Sequence, residues 1–311
     1  MKTLKLLTIV SIILFFSNCT DNKIKNDLTT ENLKGKVKSI KETPYKAIEK
    51  FGEVTKGDVY VDYFSNIKYA MYNENGNITE MRKYDSPEKT LDKYVYNYDK
   101  KGNLIKENKY NSNEKLESKK IYKYDDKLNL IELNKYNSER ILESKEIYRY
   151  DYKENMVESN EYNSDGTLES KGIYEYNDKE NLTEGKLYYS NGKLYYEFIQ
   201  KRSDKGNMVE KNYWYSFDGA SEINYILKYD EKCNLIESKM YHNKELEHTR
   251  VCKYDENNNQ IEENRYDSFG KLIEVQKYKY KYDDKGNWME KIEYENDIPK
   301  KITEREIEYY D

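Results

Sequence analysis

The chain has 311 residues, with 54 Lys and Arg against 59 Asp and Glu, a formal net charge of −5. Only 36% of residues are hydrophobic and as many are charged, while tyrosine alone supplies 36 residues against 7 Phe and 2 Trp. This composition excludes a thick two-layer core, a disordered chain, which would be poor in aromatics, and a nucleic-acid surface, which would need a basic face.

In chain order, the first predicted element is a leader. Lys2 and Lys5 open it, and Leu6 to Phe16 form an apolar run too short to span a bilayer as a mature helix. Residues 1–18 therefore read as a secretory signal peptide. Cys19 follows at once, where a bacterial lipoprotein carries its lipid (palmitate or a similar acyl chain) on the new N-terminus. Plain secretion with an incidental Cys19 is the alternative. Lipidation would make the membrane a partner and place the protein in the cell envelope as an outer-membrane lipoprotein. Residues 19–33 are polar and unpatterned and read as a tether, and 34–70 read as N-terminal capping strands.

From residue 71 to 311 one unit recurs nine times, marked by Asn77, Asn103, Asn129, Asn155, Asn181, Asn207, Asn234, Asn259 and Asn287. The spacing is 26 residues five times and then varies by one or two. Five residues before the Asn stands Tyr in eight copies, with Arg202 the exception, and an Asp, Asn or Ser follows it. Seven residues after the Asn comes Tyr, or Trp214 in one copy. A fixed period of this length signals a repeat architecture.

Within each unit, tyrosine-rich segments with period-two alternation read as two strands. The Asp-x-Lys-Gly-Asn segment suits a three-residue hairpin loop with a left-handed fourth position. Gly76, Gly102, Gly206 and Gly286 fill that position, and other residues fill it in the remaining copies. With such a loop Tyr98 faces Leu104 and Tyr96 faces Lys106, while the second turn places Tyr162 opposite Leu168. Leu104, Tyr110, Leu116, Tyr122 and Tyr124 then share one face. Ile105, Glu107, Lys109, Glu117, Lys119, Ile121 and Lys123 share the other. The expected fold is all-β: about eighteen strands in one long, coiled antiparallel sheet, with a β-propeller or a closed barrel-like sheet as alternatives.

The segments YKYDDKGNWME (280–290) and YKYDDKLNLIE (122–132) resemble YD repeats of the Rhs type. YYSNGKLYYE (188–197) is similar to the related MORN-variant repeats of some antitoxin proteins, and LKGKVKSIKETPYKAIEKFGE (33–53) to the start of short Rhs-like lipoproteins of Bacteroidota-type bacteria. The resemblance implies spiralling β-hairpin sheets, which in large members form a hollow shell around a toxin. The chain has no DPxG-type self-cleavage motif, so toxin encapsulation is not expected of it.

No motif for catalysis or cofactor binding stands out. His242 and His248 flank one turn, and the register puts His248 with Tyr241 and Leu246 and turns His242 to the opposite face, so they do not form a metal site. The Glu three residues after the Asn recurs too regularly for an active site and reads as a cross-strand ladder with Lys. Cys233 and Cys252 fall on a diagonal, beyond comfortable disulfide reach. The expected function is therefore non-enzymatic, without a cofactor or metal: a binding or scaffold role for a glycan or protein ligand, with no nucleic acid. The candidate surface is the ladder of Tyr96, Tyr98, Tyr122, Tyr124, Tyr148, Tyr150, Tyr174 and Tyr176, because tyrosines offer rigid amphipathic contact. The other reading of these residues is that they only pack the sheet. An immunity or antitoxin-like partner is the alternative function, and a glycan-active enzyme a weaker one.

Overall fold

A computed structural model describes residues 26–61, 66–86, 89–179, 181–203, 208–215 and 221–311. The leader, Cys19, Gly206 and Asn207 lie outside the described residues. A short helix α1 (Asp27–Thr30) comes first. Then come β1 (Val37–Lys50), β2 (Glu53–Val59), β3 (Ile67–Tyr72) and β4 (Ile78–Ser86). The hairpin array continues with β5 (Lys89–Tyr98), β6 (Leu104–Asn111), β7 (Leu116–Tyr124), β8 (Leu130–Asn137), β9 (Leu142–Tyr150), β10 (Met156–Asn163), β11 (Leu168–Tyr176) and β12 (Leu182–Tyr189). It ends with β13 (Leu194–Arg202), β14 (Met208–Tyr215), β15 (Ser221–Tyr229), β16 (Leu235–His242), β17 (Glu245–Tyr254), β18 (Gln260–Asp267), β19 (Leu272–Tyr282), β20 (Trp288–Glu295) and β21 (Ile298–Tyr309).

From β3 onward every strand pairs antiparallel with the next, and β1 pairs with β3 on one edge and β21 on the other. The array is therefore the closed form of the all-β expectation: β1 and β3–β21 make a barrel of 20 strands, and the strands read as caps are the ones that close it. Strand β2 stands outside the ring, paired to the second half of β1. Twenty strands at about 4.8 Å spacing enclose a ring about 30 Å across before strand tilt widens it. Substantial packing is confined to ladder neighbours, so the interior is hollow rather than a filled core.

The turn chemistry follows the repeat. Asp99 Oδ1 accepts from the backbone N–H groups of Lys101 and Asn103, and its Oδ2 accepts from Asn103 Nδ2 at 2.9 Å. The same pattern recurs at Asp125, Asp151 and Asp230. The fourth position is left-handed whether Gly fills it, as at Gly102 (φ 89), or not, as at Leu128 (φ 71).

One local feature corrects the expected register. Tyr98 faces Leu104, but one residue further on the ladder slips, so that Asn97 faces Lys106 and Tyr96 faces Glu107, not Lys106. Ile105 is the extra residue of a β-bulge. Similar slips follow Tyr124, Tyr150, Tyr176, Tyr229, Tyr254 and Tyr282, and on the opposite turns Tyr110, Tyr136 and Tyr162. Each bulge reverses which residues of the strand point inward and sharpens the twist. Leu104, Glu107, Lys109, Tyr122 and Tyr124 therefore share one face, while Tyr110 and Leu116 move to the other beside Lys119, Ile121 and Lys123. The repeated bulges also supply the local bend that lets so long a sheet close on itself.

The end of the expected tether is folded too. Asn26 caps α1, Leu28 N–H donates to Gly76 O at 3.1 Å, and Asn32 Nδ2 donates to Asn257 O at 2.7 Å. One helical turn thus bridges hairpin loops that lie six strands apart around the wall, roughly 29 Å of ladder at the usual spacing. So short a chord crosses on the concave side. Leu28 and Leu33 pack there against Val37, Ile40 and Tyr72, which puts the face of Tyr72, Tyr98 and Tyr124 inside the barrel.

Candidate functional site

All eight tyrosines of the proposed ladder line the inner face, in two rows. Tyr98, Tyr124, Tyr150 and Tyr176 form the row next to the mouth that α1 crosses. Their hydroxyls donate to the backbone carbonyls of Ile78, Leu104, Leu130 and Met156 at 2.7–3.0 Å, always one hairpin earlier. These four hydroxyls hold one repeat to the next. Deeper in, Tyr122 donates to Glu107 at 3.3 Å, Tyr148 to Glu146 at 2.6 Å, and Tyr174 shares a hydrogen bond with Ser159 at 3.0 Å. Burial raises all eight phenol pKa values, to about 12 for Tyr150, Tyr174 and Tyr176, so the rings stay neutral.

Charge is interleaved with the rings. Lys135 reaches Glu146 at 2.6 Å, and Lys120 reaches Glu107 at 2.9 Å. Further round the wall the lining turns apolar: Tyr174, Leu187, Tyr196 and Phe198 pack together, with Tyr213 and Tyr215 against them. Gly185 faces Phe198 across the ladder because a Cβ there would run into its ring. Lys211, 3% exposed, lies over the Phe198 and Tyr213 rings, and burial together with Arg202 lowers its pKa to about 8.

The outer face is a charge ladder. Glu132 accepts from Lys123 at 2.7 Å, Lys145 at 3.0 Å and Asn134 at 2.6 Å, and Glu210 and Glu262 pair with Lys201 and Lys253 in the same way. Charges at mid-strand on both faces leave no apolar band of the kind a lipid-embedded barrel presents. Among the described residues no helix is long and apolar enough to cross a membrane.

Two cavities stand out, and each has one of the chain's 2 Trp in its wall. A pocket of about 280 Å³ at the Trp214 end of β14 is lined by Leu194, Glu197, Ile199, Asn212 and Glu222. A second, of about 210 Å³, lies at the closing seam against Trp288. Neither belongs to the tyrosine ladder. The signal that could have found them is departure from the repeat: Trp214 replaces the usual Tyr and Trp288 the usual aliphatic residue.

The bulge after Tyr241 also moves His248. It faces Met240 and shares the inner face with His242, correcting the expected opposition. His242 pairs with Ser221 at 2.9 Å and Glu247 at 3.2 Å, and burial lowers the His248 pKa. Cys252 is a free thiol opposite Glu263, so it forms no bridge with Cys233.

No family model matches the chain, and no curated protein matches it. Among solved structures, it is similar to a chain of the Photorhabdus luminescens Tc holotoxin pore, at 11% identity and a TM-score of 0.39 over 76% of this chain. It spans 14% of that longer chain. It is also similar to a porin-like protein of Bacteroides uniformis, at 10% identity and a TM-score of 0.35 over 88% of this chain and 96% of that one. A chain of the TcdB2-TccC3-Cdc42 complex follows at 12% identity and a TM-score of 0.31, covering 87% of this chain and 17% of that one. These TM-scores are too low for a shared fold.

Proposed function

We propose that the protein is a non-enzymatic lipoprotein of the cell envelope that binds a glycan or protein ligand, or scaffolds one, through the interior of its barrel. The observation that supports this reading is the inner wall itself: a closed ring whose hollow is lined by interleaved tyrosines, lysines and glutamates rather than packed shut. Small ligands bind in concave sites where apolar walls carry a few placed polar groups. The short apolar run before Cys19 supports a lipid anchor on the outer membrane.

Two measurements test the proposal. Metabolic labelling with an alkyne fatty acid is expected to tag the wild-type chain and to miss Cys19→Ser, and equal labelling of both rejects the anchor. A pull-down with the full chain in mild detergent, against the host's envelope and secreted fractions, is expected to retain a glycan or envelope protein. Recovery of a secreted toxin alone would favour an immunity role instead.

A further inference from the structure

The seam where β1 closes against β3 and β21 differs in charge from the rest of the inner wall. Its cavity of about 210 Å³ is lined by Lys68, Lys291, Lys301 and Arg305 but only two carboxylates, Glu42 and Glu293. Those carboxylates are already engaged. Arg305 places Nε and Nη2 each 2.8 Å from Glu42 and lies over Trp288, with its Cζ 3.4 Å from the ring centroid. Glu293 accepts from Lys291 at 2.8 Å and Lys301 at 3.1 Å. Lys68 is exposed and makes no ion pair.

Like charges face one another here as well. Lys68 lies directly across the ladder from Lys83, and Lys46 from Lys301. Such pairs are destabilising unless something neutralises them. Elsewhere on the inner wall the comparable pair Lys120–Lys135 is neutralised by Glu107 and Glu146. Glu42 lies across the ladder from Lys68 and Asp92 from Lys83, but Arg305 takes the first carboxylate and Lys109 the second, so neither lysine is neutralised in this way. In a chain with a net charge of −5, this is a local excess of positive charge with an opening beside it.

We propose that this seam is a binding site for a sugar acid, a single ring bearing a carboxylate and neighbouring hydroxyls. The proposal rests on the envelope-binding reading above and names a ligand class for it. Lys68, Lys291 and the clamped Arg305 hold the carboxylate. The second face of the site supplies acceptors and mixed groups, namely Glu42, Glu293, Thr303 and Asn66, which suit hydroxyl donors and would serve no purpose toward a bare phosphate or sulfate. The volume lies below the roughly 300–1,000 Å³ of pockets that take drug-sized ligands, which fits one ring rather than an oligosaccharide.

The test is calorimetric titration of the full chain in mild detergent with galacturonate, galactose and inorganic sulfate. Galacturonate is expected to bind, with galactose and sulfate weaker by tenfold or more. Lys68→Gln is expected to raise the galacturonate Kd by about tenfold or more, the scale of one lost hydrogen bond to a charged group. Lys68 carries no ion pair, so its loss leaves the fold intact, and Lys100→Gln at an exposed turn serves as the control with unchanged Kd. Binding of sulfate as tightly as galacturonate, or no effect of Lys68→Gln, overturns the site. A pull-down that succeeds while galacturonate fails to bind rejects the sugar-acid site and leaves the broader reading standing. Galacturonate binding lost in Lys68→Gln supports the site even if the pull-down recovers nothing.

Discussion

The hydroxyl of Tyr124 donates to the backbone carbonyl of Leu104 at 2.9 Å, reaching from one hairpin to the one before it. The β6–β7 ladder stops at Lys106, so the Leu104 carbonyl has no strand partner on that side. A buried carbonyl left without a partner is costly, and the next repeat's tyrosine removes the cost. The bulge, the tyrosine and the period of the repeat are thus one device.

Tyr124→Phe is expected to lower stability by about 1 kcal/mol, since it keeps the ring and removes one hydrogen bond. Tyr124→Phe combined with Tyr150→Phe should lose about twice that, because each serves a different carbonyl. Urea unfolding followed by tyrosine fluorescence checks this. Variants as stable as the wild type would show that water satisfies these carbonyls and that the hydroxyls do not clip the repeats.

Leu128 holds a left-handed backbone (φ 71) in the turn position where sibling repeats carry Gly102 and Gly286. Leu128→Gly should relieve about 1 kcal/mol of steric strain and return part of it through the entropy of a freer unfolded chain. A net gain of about 0.5 kcal/mol is expected by thermal unfolding. Loss of stability would mean that the exposed Leu128 side chain contributes more than its backbone costs.

Deleting residues 130–155 removes two strands and one full period, and leaves an even ring in which β1 still meets β21 antiparallel. Deleting residues 130–142 removes one strand and one turn. With an odd count, β3 and β21 run in opposite directions, and β1 can no longer pair antiparallel with both. Hydrogen exchange at Ile40 and Ile307, which face each other across the seam, should stay slow in the first variant and become fast in the second. Equal protection in both would show that closure does not depend on strand parity.

Acid should open the outer ladder. Lys123 holds the Glu132 carboxyl down at about 2, and Asn103 holds Asp99 below its ordinary value. Lys201 and Lys253 likewise lower the Glu210 and Glu262 carboxyls. Groups with depressed pKa values contribute stability that is complete above their unfolded values and lost as pH falls through the folded ones. Stability should therefore be flat above about pH 5 and fall between about pH 4.5 and 2. Replacing Lys123, Lys201 and Lys253 by Gln should move that acid transition to higher pH in circular-dichroism titrations, and an unmoved midpoint would assign acid unfolding to other groups.

Much of this protein was legible in the sequence because it depends on local chemistry. The Asp99–Asn103 turn, the left-handed fourth position and the pairing of Tyr98 with Leu104 all follow from a few adjacent residues. So does the pairing of Tyr241 with Leu246 across its shorter turn. What the sequence left open depends on small effects that accumulate with distance. Ile105 carries no mark that makes it a bulge, yet the slip there sends Tyr110 outward and Glu107 inward. Closure is decided later still, when the bend added at each hairpin has brought Ile307 round to Ile40, and α1 can bridge Gly76 to Asn257 only after that. The seam cations meet for the same reason: Lys68 and Arg305 are far apart in the chain, and only the curvature of the whole sheet brings them to one cavity.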